Sequence, residues 1–268
     1  MKPDCKSNDK VLFISGPTGS GKSSLAVGAA KLLGGEIINA DSVQLYKGFD
    51  IGSGKVSEDE MRGIPHHLLD TFSPDEEVDV HKFAALAEEK ISEILSRGNL
   101  PIITGGSGLY VRTILCGLVE TSQVSEEDLK LLLKESELES EYELLKLHDP
   151  QTAELLHAND TARIRRALLV AVSSKQSLAK LRSEHENIKE LNYQPLVLAL
   201  MPDREKLYEK INARVDKMLA AGMLEEVKGV VQRYPEAHAL GAIGYRHLVA
   251  YIRGEVDLEE TTLSLIHI

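Results

Sequence analysis

The sequence predicts an α/β fold: a mostly parallel, P-loop NTPase-like sheet interrupted by a helical insertion. Three observations predict it. Val11-Leu12-Phe13-Ile14 is an apolar strand running straight into Gly16-Pro17-Thr18-Gly19-Ser20-Gly21-Lys22-Ser23, and a helix follows at once. Short apolar runs then recur after helical stretches, at residues 36–40, 100–104 and 195–200, which is the alternation that builds parallel sheets. From about residue 125 to 190 the strand signals stop and short charged helices follow one another.

The elements take their order from local signals. Residues 1–10 are polar and read as a disordered leader to an α/β core spanning 11–122 and 192–268. The first helix runs from about Ser23 to Leu33 and is ended by Gly34-Gly35. Glu36-Ile37-Ile38-Asn39-Ala40 reads as a second buried strand, delivering Asp41 and Ser42 at its carboxyl end, where open parallel sheets hold their ligands. A glycine-dotted stretch over 46–55 leads to a short helix, then to residues 64–70, read as loop and short strand. Asp79 caps a helix whose Phe83, Leu86, Ala87, Ile91, Ile94 and Leu95 recur at helical spacing. It stops at Gly98, and the strand at 100–104 ends in Gly105-Gly106-Ser107-Gly108-Leu109-Tyr110, a second glycine turn before a helix. Residues 123–191 form the insertion, with helix starts at Asp149-Pro150 and Asn159-Asp160. The strand at 195–200 and a run of helices complete the core.

Composition narrows the class. The formal charge of −11 argues against a generally basic nucleic-acid coat, so RNA contact has to come from local patches. Cys5 and Cys116 are the only cysteines, which fits a reducing compartment better than a disulfide framework. No apolar run approaches a membrane span, and the first ten residues lack a signal-peptide core. The expectation is a cytoplasmic monomer with no membrane partner.

The P-loop pattern is informative because of its strand-before, helix-after context. Its glycines let successive backbone N–H groups curl round an anion, and the helix N-terminus points its dipole at the same spot. Gly16, Pro17, Thr18, Gly19, Ser20, Gly21, Lys22 and Ser23 therefore read as a diphosphate or polyphosphate cradle, with Lys22 as a point charge and Ser23 as the hydroxyl that holds Mg2+. No Asn-Lys-x-Asp segment suggests a switch GTPase, and strand 100–104 ends in Thr104-Gly105-Gly106 rather than the aspartate of an ATPase. Asp41 is the one acid at the mouth of a clear strand. Adjacent His66 and His67 face opposite ways on a strand and lack a cysteine or carboxylate framework, so they do not read as zinc ligands.

Several ordered blocks carry a resemblance. They are the P-loop; Ala40-Asp41-Ser42-Val43-Gln44-Leu45-Tyr46; Gly52-Ser53-Gly54-Lys55; Pro65-His66-His67-Leu68-Leu69-Asp70; and Thr104-Gly105-Gly106-Ser107-Gly108-Leu109-Tyr110. Asn159-Asp160 with Arg163-Ile164-Arg165-Arg166-Ala167-Leu168, Arg214-Val215-Asp216-Lys217-Met218-Leu219 with Gly222, and Ala242-Ile243-Gly244-Tyr245-Arg246 complete them. From Val11 to about Glu260 the chain resembles the tRNA dimethylallyltransferases. That resemblance implies transfer of a dimethylallyl group from dimethylallyl diphosphate to N6 of the adenosine next to the anticodon (position 37) in tRNA. It implies Asp41 as the base on the amine and places Ser107, where the family usually has threonine, at a donor phosphate or the amine. It further implies Arg246 as a diphosphate contact, with Asp41, Ser42, Gln44 and Tyr46 at the adenine. An adenine in a folded anticodon loop must leave its stack to be reached, and the insertion with Arg163, Arg165 and Arg166 is the expected tRNA grip.

Two departures stand out. Leu169 replaces a glutamate common in the family, and the closing Leu263-Ser264-Leu265-Ile266-His267-Ile268 lacks the family's basic helix, so a truncated C-terminus is expected. The rival readings are a free-adenylate isopentenyltransferase, a P-loop small-molecule kinase, and an RNA-binding remnant without turnover.

Overall fold

The computed structural model describes residues 9–118, 126–136, 138–184, 187–257, 260–261 and 264–265. The expected leader lies outside them up to residue 8, as do the ends of the C-terminal tail. The chain divides into two compact units, Met1–Leu115 with Leu191–Ile268, and Cys116–Glu190.

In the first unit, β1 (Lys10–Ser15), α1 (Lys22–Leu33), β2 (Gly35–Asn39), α2 (Glu58–Met61), β3 (His66–His67), α3 (Val80–Ser96), β4 (Leu100–Thr104) and α4 (Gly108–Cys116) follow in order. The second unit is helical among its described residues: α5 (Glu126–Glu135), α6 (Glu141–His148), α7 (Pro150–Glu154), α8 (Thr161–Ser174) and α9 (Leu178–Glu184). The chain then returns to the first unit with β5 (Gln194–Ala199), α10 (Arg204–Ala220), α11 (Met223–Arg233) and α12 (Tyr245–Ile252).

The five strands form one sheet in the order β3-β2-β4-β1-β5, and every pairing is parallel. β1 lies inside the sheet, and its Val11, Leu12, Phe13 and Ile14 are all buried, as a strand covered on both faces requires. β5 is an edge strand, and Leu196, Val197 and Leu198 there remain about half exposed. α3 packs one face, with Phe83, Ala87, Ile91 and Ile94 buried, and the Asp79 carboxylate caps its start by accepting from Lys82 N–H at 2.7 Å.

Because β4 sits between β1 and β2, the chain's β1–α1–β2 crossover opens a crevice at the strands' carboxyl ends. The ends are tied together there: Ala40 N–H donates to the Thr104 carbonyl at 2.8 Å, and Ser107 N–H to the Ala40 carbonyl at 3.2 Å. Gly105 permits this contact, since a Cβ on it would lie 2.1 Å from the Ala40 carbonyl group.

The second unit has its own core of Leu144, Leu145, Ile164, Ala167, Leu168, Val170 and Leu178. Leu169 packs against that core, which gives the leucine at this position a physical role. Asp149 organises the helix ends. Its buried carboxylate accepts from Thr152 N–H at 3.1 Å and Leu178 N–H at 2.8 Å, and from the Thr152 hydroxyl, so one side chain caps α7 and fixes the start of α9.

Candidate active site

A cleft of about 1060 Å³ opens at the carboxyl ends of β1, β2 and β4. On one wall the P-loop turns from β1 into α1. Gly19 and Gly21 take φ of 80° and 89°, values that carry a steric cost for any residue with a Cβ. Pro17, Thr18, Gly19, Gly21, Lys22 and Ser23 face the cleft. Gly16 and Ser20 do not line it. A Cβ on Gly16 would meet the Leu200 carbonyl at 2.8 Å, and the Ser20 hydroxyl is buried with no hydrogen-bond partner among the described residues.

Lys22 folds over its own loop, its ammonium donating to the Pro17 carbonyl at 2.7 Å. Burial pulls its pKa below the usual lysine range; the Asp41 charge opposes this and the Arg214 charge adds to it. Asp41 and Arg214 are therefore each within electrostatic reach of Lys22. Arg214, on α10, is a second cation of the cleft that sequence reasoning gave no role. Its guanidinium donates to the Ser53 carbonyl at 3.1 Å, and it passes so close to Gly54 that a Cβ there would lie 1.8 Å from a guanidinium nitrogen. Arg204, also on α10, lines the same cleft and donates to the Tyr208 hydroxyl at 3.1 Å.

The opposite wall carries Asp41. Its Oδ1 accepts from Val43 N–H at 3.0 Å, which orients the carboxylate, while Oδ2 lies over Gly106, where a Cβ would come within 3.1 Å. Asn39 holds the turn from below, donating to the carbonyls of Asp41 at 3.2 Å and Leu68 at 2.9 Å. The Ser107 hydroxyl accepts from Ser42 N–H at 3.0 Å and donates to the Ser42 hydroxyl at 3.3 Å, so the β2 and β4 ends share a polar link beside Asp41. Gln44 reaches the cleft and donates to the Ser53 carbonyl at 3.1 Å.

Two expected site residues stand elsewhere. Tyr46 is buried, 3% exposed, and packs with its ring centroid 6.1 Å from that of Phe49; it is a core residue rather than a wall of the cleft. Arg246 is exposed and borders a separate surface pocket with His247, Ala250 and Glu260. The cause is helical rotation. Tyr245 points inward to the cleft, and the next residue of a helix lies about 100° round the axis. His66 and His67 also find separate partners: His66 Nδ1 donates to the Ile64 carbonyl at 2.8 Å, and His67 Nε2 to Glu36 at 2.6 Å.

Arg163, Arg165 and Arg166 are exposed on α8 of the second unit. Arg163 pairs with Asp160 at 3.2 Å and Arg165 with Glu141 at 2.9 Å, so part of this cluster's charge is already matched at home.

Comparison with known proteins adds independent information. The IPP transferase family matches residues 44–267. A tRNA dimethylallyltransferase 1 of Citrifermentans bemidjiense is 41% identical over 253 residues, covering 94% of this chain and 82% of that protein. A tRNA dimethylallyltransferase of Anoxybacillus flavithermus is 40% identical, covering 96% of this chain and 82% of its own length. Among solved structures, a tRNA delta(2)-isopentenylpyrophosphate transferase from Staphylococcus epidermidis is similar at 36% identity and a TM-score of 0.69, over 97% of this chain and 86% of that one. A eukaryotic dimethylallyltransferase acting on tRNA matches at 28% identity with a TM-score of 0.78, over 97% of this chain and 67% of that one. With its sheet order, its P-loop cleft and these matches together, the chain belongs to the IPP transferase family.

Proposed function

We propose that this protein transfers a dimethylallyl group from dimethylallyl diphosphate to N6 of the adenosine beside the anticodon of tRNA, releasing diphosphate. One arrangement carries the reading: a cradle with two cations, Lys22 and Arg214, faces an oriented carboxylate, Asp41, within a single cleft. Allylic transfer needs both halves. The donor's allylic C–O bond breaks and the electron pair leaves with diphosphate, whose growing charge Lys22, Arg214 and the loop N–H groups neutralise. The C–N6 bond forms, and the N6 proton passes to the Asp41 carboxylate. Ser107 and Ser42 hold the turn that carries Asp41.

Ser23, near the start of α1, faces the cleft and offers a hard oxygen, which suits a Mg2+ ion that keeps most of its waters. When bound, magnesium adds positive charge at the diphosphate oxygens. The arginines of α8 are the proposed tRNA contacts of the second unit.

The test is incubation of purified protein with dimethylallyl diphosphate and either unmodified tRNA or AMP, followed by mass spectrometry of the nucleosides. Prenylated adenosine in tRNA is the expected product. Modification of AMP alone, or phosphate transfer from ATP with no use of the prenyl donor, overturns the reading.

A further inference from the structure

Glu226, in the first turns of α11, is absent from the residues expected to act at this site, yet its carboxylate gathers four donors. Oε2 accepts from the backbone N–H groups of Asp50 at 2.9 Å and Ile51 at 2.7 Å, and Oε1 accepts from Gly52 N–H at 3.0 Å. The Tyr245 hydroxyl donates to Oε1 at 2.6 Å. Consecutive N–H groups turned to one point make a concave anion site, and here the anion is the protein's own side chain, 174–176 positions away.

The loop so gripped does not end at Gly52. It continues into Ser53 and Gly54, whose carbonyls accept from Gln44, at 3.1 Å and 3.5 Å. The Ser53 carbonyl also accepts from Arg214 at 3.1 Å. The loop is seated as well as gripped: a Cβ on Gly52 would meet the Tyr245 ring at 2.6 Å and Met223 Cε at 2.7 Å. Lys55 closes its far side, donating to the Tyr46 carbonyl at 3.0 Å and to Asp50 at 2.6 Å.

We infer that Glu226 is a positioning residue: by clamping the N–H groups of residues 50–52 it fixes the Ser53 carbonyl, and through that carbonyl it sets where Gln44 and Arg214 stand. One carboxylate outside the reacting groups thus aligns the side of the cleft that takes the base with the side that takes the diphosphate. Tyr245 shares the task, which gives the Gly244-Tyr245 block a function that its neighbour Arg246 does not supply in this structure. The inference rests on the prenyl transfer proposed above.

Glu226→Gln is the sharp perturbation. It keeps the shape, but it turns one acceptor edge into an NH2 group facing donors that find no other acceptor among the described residues. In the 268-residue chain, amide hydrogen exchange over residues 49–55, dimethylallyl diphosphate affinity and single-turnover transfer to tRNA are measured beside a thermal melt. The expected result is faster exchange at 50–52 with β1 and β4 unchanged, and a transfer rate lower by about tenfold to a hundredfold, the scale of a displaced site group. Tyr245→Phe, which removes one donor of the four, moves every readout the same way by less. It carries the test alone if Glu226→Gln does not fold. Unchanged exchange at 50–52, or faster exchange with unaltered affinity and rate, overturns the inference. Loss of protection in β1 and β4 to the same degree overturns it too, because the role is then general stability. Wild-type protein that transfers no prenyl group defeats the proposed activity instead, and exchange with donor affinity still decides the clamp.

Discussion

Replacing Gly54 by alanine tests the cleft through its most crowded contact. Gly54 has φ of +61°, so an alanine there costs about 1–2 kcal/mol in backbone strain. The added Cβ would lie 1.8 Å from one Arg214 guanidinium nitrogen, 2.7 Å from Cζ and 3.2 Å from Nε. Ordinary contact needs about 3.5 Å or more, so the guanidinium has to retreat and give up its 3.1 Å bond to the Ser53 carbonyl. The loop itself is pinned by Glu226 and Lys55 and has less freedom than a long arginine side chain. The fold therefore survives while the cation leaves its place. A hydrogen bond to a charged group is worth about 1.5–3 kcal/mol, so donor affinity should fall by about tenfold to a hundredfold.

Calorimetric titration with dimethylallyl diphosphate, run on the wild type, Gly54→Ala, Arg214→Ala and the double variant, measures this. If alanine acts by displacing Arg214, its effect on binding vanishes once Arg214 is gone, and the double variant matches Arg214→Ala. Full additivity of the two changes, or unchanged affinity in Gly54→Ala, refutes the assignment of Arg214 to the diphosphate.

Other consequences divide between chemistry and stability. Asp41→Asn should slow single-turnover transfer by about 10²–10⁴-fold while donor affinity barely moves, whereas Lys22→Ala should weaken donor binding and slow the chemistry together; lost donor binding with an intact rate in Asp41→Asn would reverse the roles. Gly105→Ala places a methyl group 2.1 Å from the Ala40 carbonyl, backbone against which no rotamer can retreat, and should lower unfolding free energy by about 3 kcal/mol in urea denaturation. Burial pushes the Glu36 carboxyl up, but hydrogen bonds from Arg97, Asn99 and His67 more than reverse it and hold its pKa down at about 2. Its contribution, on the order of 3 kcal/mol, is present above the unfolded carboxyl pKa near pH 4.5 and is lost as pH falls toward 2, so stability of Glu36→Gln should be flatter over that window.

Much of the cleft was legible because its parts are local. A P-loop, Asp41 after β2 and Ser107 after β4 each stand at the end of an apolar run, and parallel strands bring their carboxyl ends to one edge whatever the strand order. The order itself was not legible. Nothing in residues 100–104 says that β4 slips between β1 and β2; that follows from which faces pack, with Gly105 admitting the Ala40 backbone. Tyr46 shows the same limit from inside, since a tyrosine five positions after the proposed base Asp41 reads equally as wall or core, and only the packing on Phe49 decides it.

Arg214 and Arg246 show where motif reading fails by orientation. Both lie in blocks that carry the family resemblance, and both sit on helices, where neighbouring residues point about 100° apart. A block can therefore mark a helix as part of the site without saying which of its residues faces in. At α12 the inward residue is Tyr245, whose hydroxyl meets Glu226, and the arginine beside it looks outward. At α10 the arginine is among the residues that face inward, and what admits it is the missing side chain at Gly54, 160 positions earlier in the chain. That glycine sat in a block with no chemistry to explain it. A glycine with φ of +61° leaves room for a cation, and the room is as specific as a ligand contact. The pairing of an unexplained glycine with an unexplained arginine is thus a signal that sequence carries, but it becomes readable only when the fold brings the two together.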